Sequence, residues 1–79
     1  MADGEYSYTV LFEPAEEGGY VVRAPALPGL VTEGDTLEEA RQMAKDAIRA
    51  YLESLRKDGL PIPPDTDIRL DPVKEKIKV

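Results

Sequence analysis

Carboxylates are the side chains in this sequence that could attempt bond-making chemistry. Asp35, Glu38 and Glu39 cluster just ahead of a helical pattern, and Glu16 and Glu17 form a second pair. A cluster of the first kind holds Mg²⁺ in metal-dependent nucleases. The simpler reading is a capped helix start, where acids meet the positive end of the helix dipole. Glu38 and Glu39 point about 100° apart around such a helix, which is poor geometry for one ion. Glu16 and Glu17 read as a solvated loop tip. The chain has no histidine and no cysteine. It therefore lacks the commonest general base, a thiolate nucleophile and any thiolate metal site. We expect no catalytic residue, no metal and no cofactor.

Binding chemistry narrows in the same way. Gly18, Gly19 and Gly34 lack the Lys and Ser/Thr that follow a phosphate-cradling loop. Tyr6, Tyr8, Tyr20 and Tyr51 could stack on bases, but the basic surroundings are missing, so core or sheet-surface roles are expected. Lys74, Lys76 and Lys78 form a small basic stretch best explained as protection of a strand edge. Ten basic side chains face sixteen acidic ones, for a net charge of −6. That balance disfavours direct nucleic-acid binding and suits a basic protein partner or plain solubility. No apolar run approaches the ~20 residues of a membrane span, and no signal peptide opens the chain, so a cytoplasmic protein is expected.

The elements that would position these groups are legible in outline. Seventy-nine residues make a single domain, 1–79. A chain of this size buries only ~60–65% of its unfolded surface, so self-association is a reasonable aid to stability. Residues 1–5 read as a frayed end. Tyr6–Phe12 alternates, with Tyr6, Tyr8, Val10 and Phe12 on one face and Ser7, Thr9 and Leu11 on the other. Pro14 should end that strand, and Gly18–Gly19 should supply positive backbone angles in a hairpin loop. A second strand, Tyr20–Ala24, stops at Pro25, and Pro28–Gly29 turn the chain into a third, Leu30–Glu33.

The helix signal is the strongest. Leu37, Ala40, Met43, Ala44, Ala47, Ile48, Tyr51, Leu52 and Leu55 form one apolar stripe. Thr36 is placed to cap it, with Glu39 reaching back to the cap's own N–H, and Gly59 is placed to end it. Leu60–Pro64 is a stiff extended connection, and 65–72 is expected to be poorly ordered. Val73, Glu75, Ile77 and Val79 alternate with the three lysines as a last strand. If it joins the sheet beside the first strand, the helix becomes a crossover, expected to be right-handed. The fold class is α+β: a three-stranded antiparallel meander, one long helix and a further C-terminal strand.

The run from Gly18–Gly19–Tyr20 through Pro25, Leu27–Pro28–Gly29, Thr32, Gly34–Asp35–Thr36 and Glu38–Glu39–Ala40, then Ala47–Ile48, Tyr51–Leu52, Gly59 and Pro61–Ile62–Pro63, resembles the HicB family of antitoxins. The resemblance covers about Tyr8 to Pro64. It implies a β-β-β-α-β fold like a truncated ribonuclease H. It implies a small basic partner, a HicA-like toxin that cleaves RNA, neutralised by occlusion in a type II toxin–antitoxin system. Gly19, Tyr20, Pro25, Leu27, Pro28, Gly29, Thr32, Gly34, Thr36, Glu39 and Ala40 become signature positions with scaffold roles. The exposed acids Glu13, Glu16, Glu17, Glu33, Asp35 and Glu38 become candidate partner contacts. The resemblance implies that full-length relatives often carry a C-terminal DNA-binding segment; the sequence given ends at Val79 without one, so direct operator binding by it is doubtful. Two alternatives stay open. One is a stand-alone oligomeric regulatory or ligand-binding domain that pairs through a strand edge. The other is a degenerate ribonuclease H-type, metal-dependent nuclease.

Overall fold

The computed structural model describes residues 6–65 and 74–79. The expectations for 1–5, for 66–72 and for Val73 lie outside the described residues. Strands β1 (Ser7–Pro14), β2 (Tyr20–Arg23) and β3 (Val31–Gly34) precede helix α1 (Leu37–Lys57), and β4 (Lys74–Lys78) follows it. The sheet order is β3-β2-β1-β4, and every neighbouring pair is antiparallel. This is the expected α+β meander with a last strand beside the first.

Local chemistry sets the boundaries. β1 carries on through Pro14, which pairs with Tyr20 as the last residue of the strand, where one missing donor costs little. Gly18 and Gly19 take positive φ values of 100° and 78°, closing the hairpin. Leu30, expected in β3, instead closes a turn: its N–H donates to the Leu27 carbonyl at 3.1 Å, around Pro28 and a Gly29 at φ 86°. Proline followed by a positive-φ glycine is the type II pattern.

The Thr36 hydroxyl accepts from the Glu39 N–H at 3.0 Å and caps α1. The Glu39 carboxylate does not return to the Thr36 N–H as expected. It accepts from the N–H of Asp35, one residue earlier, at 2.5 Å. Two donors are still satisfied, with the box shifted one residue outward. At the other end Gly59, at φ 71°, donates to the Arg56 carbonyl at 3.1 Å, and Leu60 donates to Leu55 at 2.8 Å. That double bond pattern is a Schellman stop.

One face of the sheet meets the helix. Tyr8, Val10, Phe12 and Val22 from the strands, Leu27 from the turn, and Ala40, Ala44, Ile48 and Leu52 from α1 form the core. Met43, expected on the apolar stripe, is 41% exposed. It lies roughly 100° around the helix from Ala44, off the seam of residues spaced by four. The expected right-handed crossover also needs correction. In the order β3-β2-β1-β4 the two edge strands run in opposite directions. The handedness rule applies to parallel strands and does not govern this connection.

Candidate protein-interaction site

Helix α1 covers one side of the sheet, and among the described residues no second helix or sheet covers the other. Register assembles that outer face. Leu11, Arg23 and Val31 form one row across β1, β2 and β3, and Glu13, Val21 and Glu33 form the next. Leu11 and Val21 are half-buried, and Val31 is 56% exposed. The result is a narrow diagonal strip of apolar side chains, Leu11, Val21 and Val31, interleaved with Glu13, Arg23 and Glu33. Glu13 and Glu33 sit two strand spacings apart, roughly 10 Å, on either side of Val21.

The hairpin end of the sheet gathers part of the expected acidic set. Glu17, Glu33 and Asp35, with Ala15, Gly18, Tyr20 and Gly34, surround a hollow of about 210 Å³. Glu16 is exposed on the same loop. Glu13 is spoken for: its carboxylate meets the Arg23 guanidinium at 3.3 Å. Glu38 is not part of this group, because it faces a groove between α1 and β4. So Glu17, Glu33 and Asp35 converge, Glu16 lies on the same loop, Glu13 borders the strip, and Glu38 lies elsewhere. Among the described residues no group of three or more His, Cys, Asp or Glu is placed to hold a metal ion.

The acidic end is positioned by backbone packed on backbone. A Cβ on Gly34 would sit 2.5 Å from the Ala40 nitrogen and 2.7 Å from its Cα. A Cβ on Gly19 would sit 2.6 Å from the Gly34 carbonyl oxygen. These two glycines bring hairpin, β3 and helix start together, which is how Glu17, Glu33 and Asp35 come to share a hollow. Farther along, the Tyr51 hydroxyl donates to the Pro28 carbonyl at 2.8 Å and ties the type II turn to α1. The Leu27 N–H donates to Ala24 at 2.9 Å around Pro25, and Leu27 itself is fully buried. Tyr20 and Thr32 are half-buried, and Ala40 is fully buried.

The β1–β4 edge of the sheet is held by long-range pairings that the sequence reading did not anticipate. Asp65 accepts from the Thr9 N–H and the Thr9 hydroxyl, both at 2.8 Å, and pairs with Lys76 at 2.9 Å. The Thr9 N–H points toward the β2 side, where β2 has already ended. Asp65 supplies the acceptor that a longer strand would have given. This explains why Thr9, on the outer face, is buried. The buried Tyr8 hydroxyl donates to the Pro63 carbonyl at 2.7 Å; burial first, then the nearby Tyr6 and Asp65, pushes its phenol pKa up. Arg41 grips Glu75 through its Nε and Nη2, down to 2.6 Å. That bond holds the Glu75 carboxyl below its ordinary range and raises Arg41. No local sequence signal marks these pairs, because the partners are far apart in the chain.

Comparison with known proteins finds a matching family model and several relatives. The family model described as the HicB-like antitoxin of bacterial toxin–antitoxin systems matches residues 8–76. A UPF0150 protein of Thermoplasma acidophilum is 53% identical over 58 residues, covering 73% of this chain and 84% of the relative. Antitoxin HicB 1 of Photorhabdus laumondii is 48% identical over 56 residues, covering 71% of this chain and 36% of the relative. Antitoxin HicB of Escherichia coli K12 is 39% identical over 56 residues, covering 71% of this chain and 41% of the relative. The chain thus matches less than half the length of the relatives named antitoxins.

Proposed function

This chain belongs to the HicB-like antitoxin family of bacterial toxin–antitoxin systems, and we propose that it neutralises a small, basic, HicA-like toxin by covering the surface that engages RNA. The toxin's identity and the occluding mode are our reading. The convergence of Glu17, Glu33 and Asp35 on one hollow, beside the exposed Val31 strip, carries it. Carboxylates clustered in that way attract a basic partner over distance and set its orientation on arrival. The apolar strip then offers area to bury, and the charged rim offers specificity. A toxin that binds RNA presents cations where phosphates would sit, so an acidic face competes for the same groups.

The arrangement supports contact rather than catalysis. Glu39 is occupied at the Asp35 N–H, and Glu38 faces away from the hollow. The antitoxin relatives favour the same non-enzymatic reading. Such an encounter belongs in the cytoplasm, where RNA cleavage takes place.

The test is inhibition of RNA cleavage by a HicA-like toxin, sought first as a small basic protein in the neighbouring reading frame. The native chain should abolish cleavage at equimolar ratio. The triple variant Glu17→Lys, Glu33→Lys, Asp35→Lys should fail to do so while keeping the native circular-dichroism spectrum. Full inhibition by that variant would remove the acidic face from the mechanism. Cleavage of RNA by the purified chain with Mg²⁺ would restore the nuclease alternative.

A further inference from the structure

The opposite edge of the sheet carries a groove of the opposite character. Glu38, Arg41, Gln42 and Lys45 of α1 and Lys76, Ile77 and Lys78 of β4 line a volume of about 420 Å³. Among the described residues β4 is an edge strand, with β1 on one side only. Tyr6 and Val79 exchange both backbone bonds, at 3.4 and 2.8 Å. By the two-residue alternation of an antiparallel ladder, Ile77 and Glu75 also turn their backbone groups toward β1. The N–H and C=O groups of Lys76 and Lys78 therefore point to the free side, into the groove.

A strand laid there would find cations on both its faces. Arg41 and Lys45 approach from the helix side, and Lys76 and Lys78 stand on the outer side. Arg41 and Lys76 already have carboxylate partners, in Glu75 and Asp65. Among the described residues no carboxylate pairs with Lys45 or Lys78. Among the described residues Glu38 is the one acid in the lining. A second copy of β4 is a poor occupant, because antiparallel pairing about Lys76 sets lysine against lysine. The lysines that block self-pairing select for the opposite charge.

We propose that the groove between α1 and the free edge of β4 receives an acidic, extended peptide segment from another protein by strand addition. Its backbone continues the ladder on Lys76 and Lys78, and its carboxylates meet Lys45 and Lys78. A nucleic acid fits less well, since it lacks the alternating donors and acceptors that the edge presents. This surface lies at the edge farthest from the Glu33 strand, so its test is independent of toxin inhibition.

The experiment is fluorescence anisotropy of the full chain with a short labelled peptide of alternating glutamate and valine, at low salt. Saturable binding that weakens with salt is expected. Two changes should each weaken it roughly tenfold or more: Lys45→Glu with Lys78→Glu, and N-methylation of the peptide amides. The methylated peptide needs no change to the protein, so it decides the matter even where the double variant fails to fold. Indifference to methylation, absence of saturable binding, or equal affinity for a single-stranded oligonucleotide of the same length would overturn the proposal.

Discussion

The two edges of this sheet are held to the same helix by different means. At β3 the contact is backbone against backbone, with Gly34 seated on Ala40 and no room for a methyl group. At β4 it is side chain against side chain, with Arg41 on Glu75, while Asp65 braces Thr9 and Lys76 across the sheet's outer face. The first kind of joint has no soft degree of freedom, and the second has several. The rigid joint carries the acidic hollow, and the softer one carries the basic groove. A surface that must present three carboxylates in fixed relation is better built on the rigid side.

The sharpest way to break this comparison is Gly34→Ala. The backbone there is not in the left-handed region, so the cost is the clash alone. Two backbone segments would have to separate, and a loss of about 3 kcal/mol or more is expected. Urea unfolding of native and variant chains measures it. A variant within error of the native chain would show that β3 and α1 can part freely.

On the softer side the largest effect should come from Asp65→Ala. It leaves the Thr9 N–H and hydroxyl without their acceptor and Lys76 without its partner. The expected loss is about 2 kcal/mol, mostly from the orphaned buried donor. Asp65→Asn keeps an acceptor oxygen and should recover part of it. Equal losses in the two variants would mean that charge, not the hydrogen bond to Thr9, does the holding.

That difference in joints also governs what could be read in advance. The rigid side announces itself locally: glycines at 18, 19, 29 and 34, proline at 28, and threonine then glutamate at 36 and 39. Each is a residue type demanded by a backbone shape within a few positions. The strand alternation around Tyr8, Val10 and Phe12 and the helix seam through Ala40, Ala44 and Ile48 were legible for the same reason. Asp65 with Thr9 and Arg41 with Glu75 are separated by 56 and 34 residues. A side chain that can bond across such a distance leaves no spacing rule behind. The hollow formed by Glu17, Glu33 and Asp35 stands between these cases: each acid was visible, and their convergence came from the close packing at Gly34 and Gly19.

Thr36→Ala probes the rigid side without touching its clash-limited contact. It removes the acceptor of the Glu39 N–H, and about 1 kcal/mol should be lost. Because Glu39 bonds Asp35 rather than the cap, that second bond should survive. A retained, exchange-protected Asp35 amide in the variant, followed by NMR, would confirm that the two halves of the cap act separately. Loss of that protection would join them.

Glu75→Gln should have the smallest effect, because the Arg41–Glu75 pair is largely exposed and screened. Its value is the pH signature. The hydrogen bond to Arg41 lowers the Glu75 pKa from its ordinary value of 4.5 in the folded chain. The folded state therefore binds a proton less readily than the unfolded state does. The pair's contribution is fully present above the ordinary carboxylate pKa and fades as pH falls through the depressed folded value. Thermal melts of native chain and variant should differ by a small, constant amount near neutrality and converge in acid. A gap that persists through the acid range would mean that Glu75 acts by packing rather than by charge. The contrast with Gly34 would then lie in how tightly the two edges pack, and side-chain electrostatics would have no share in it.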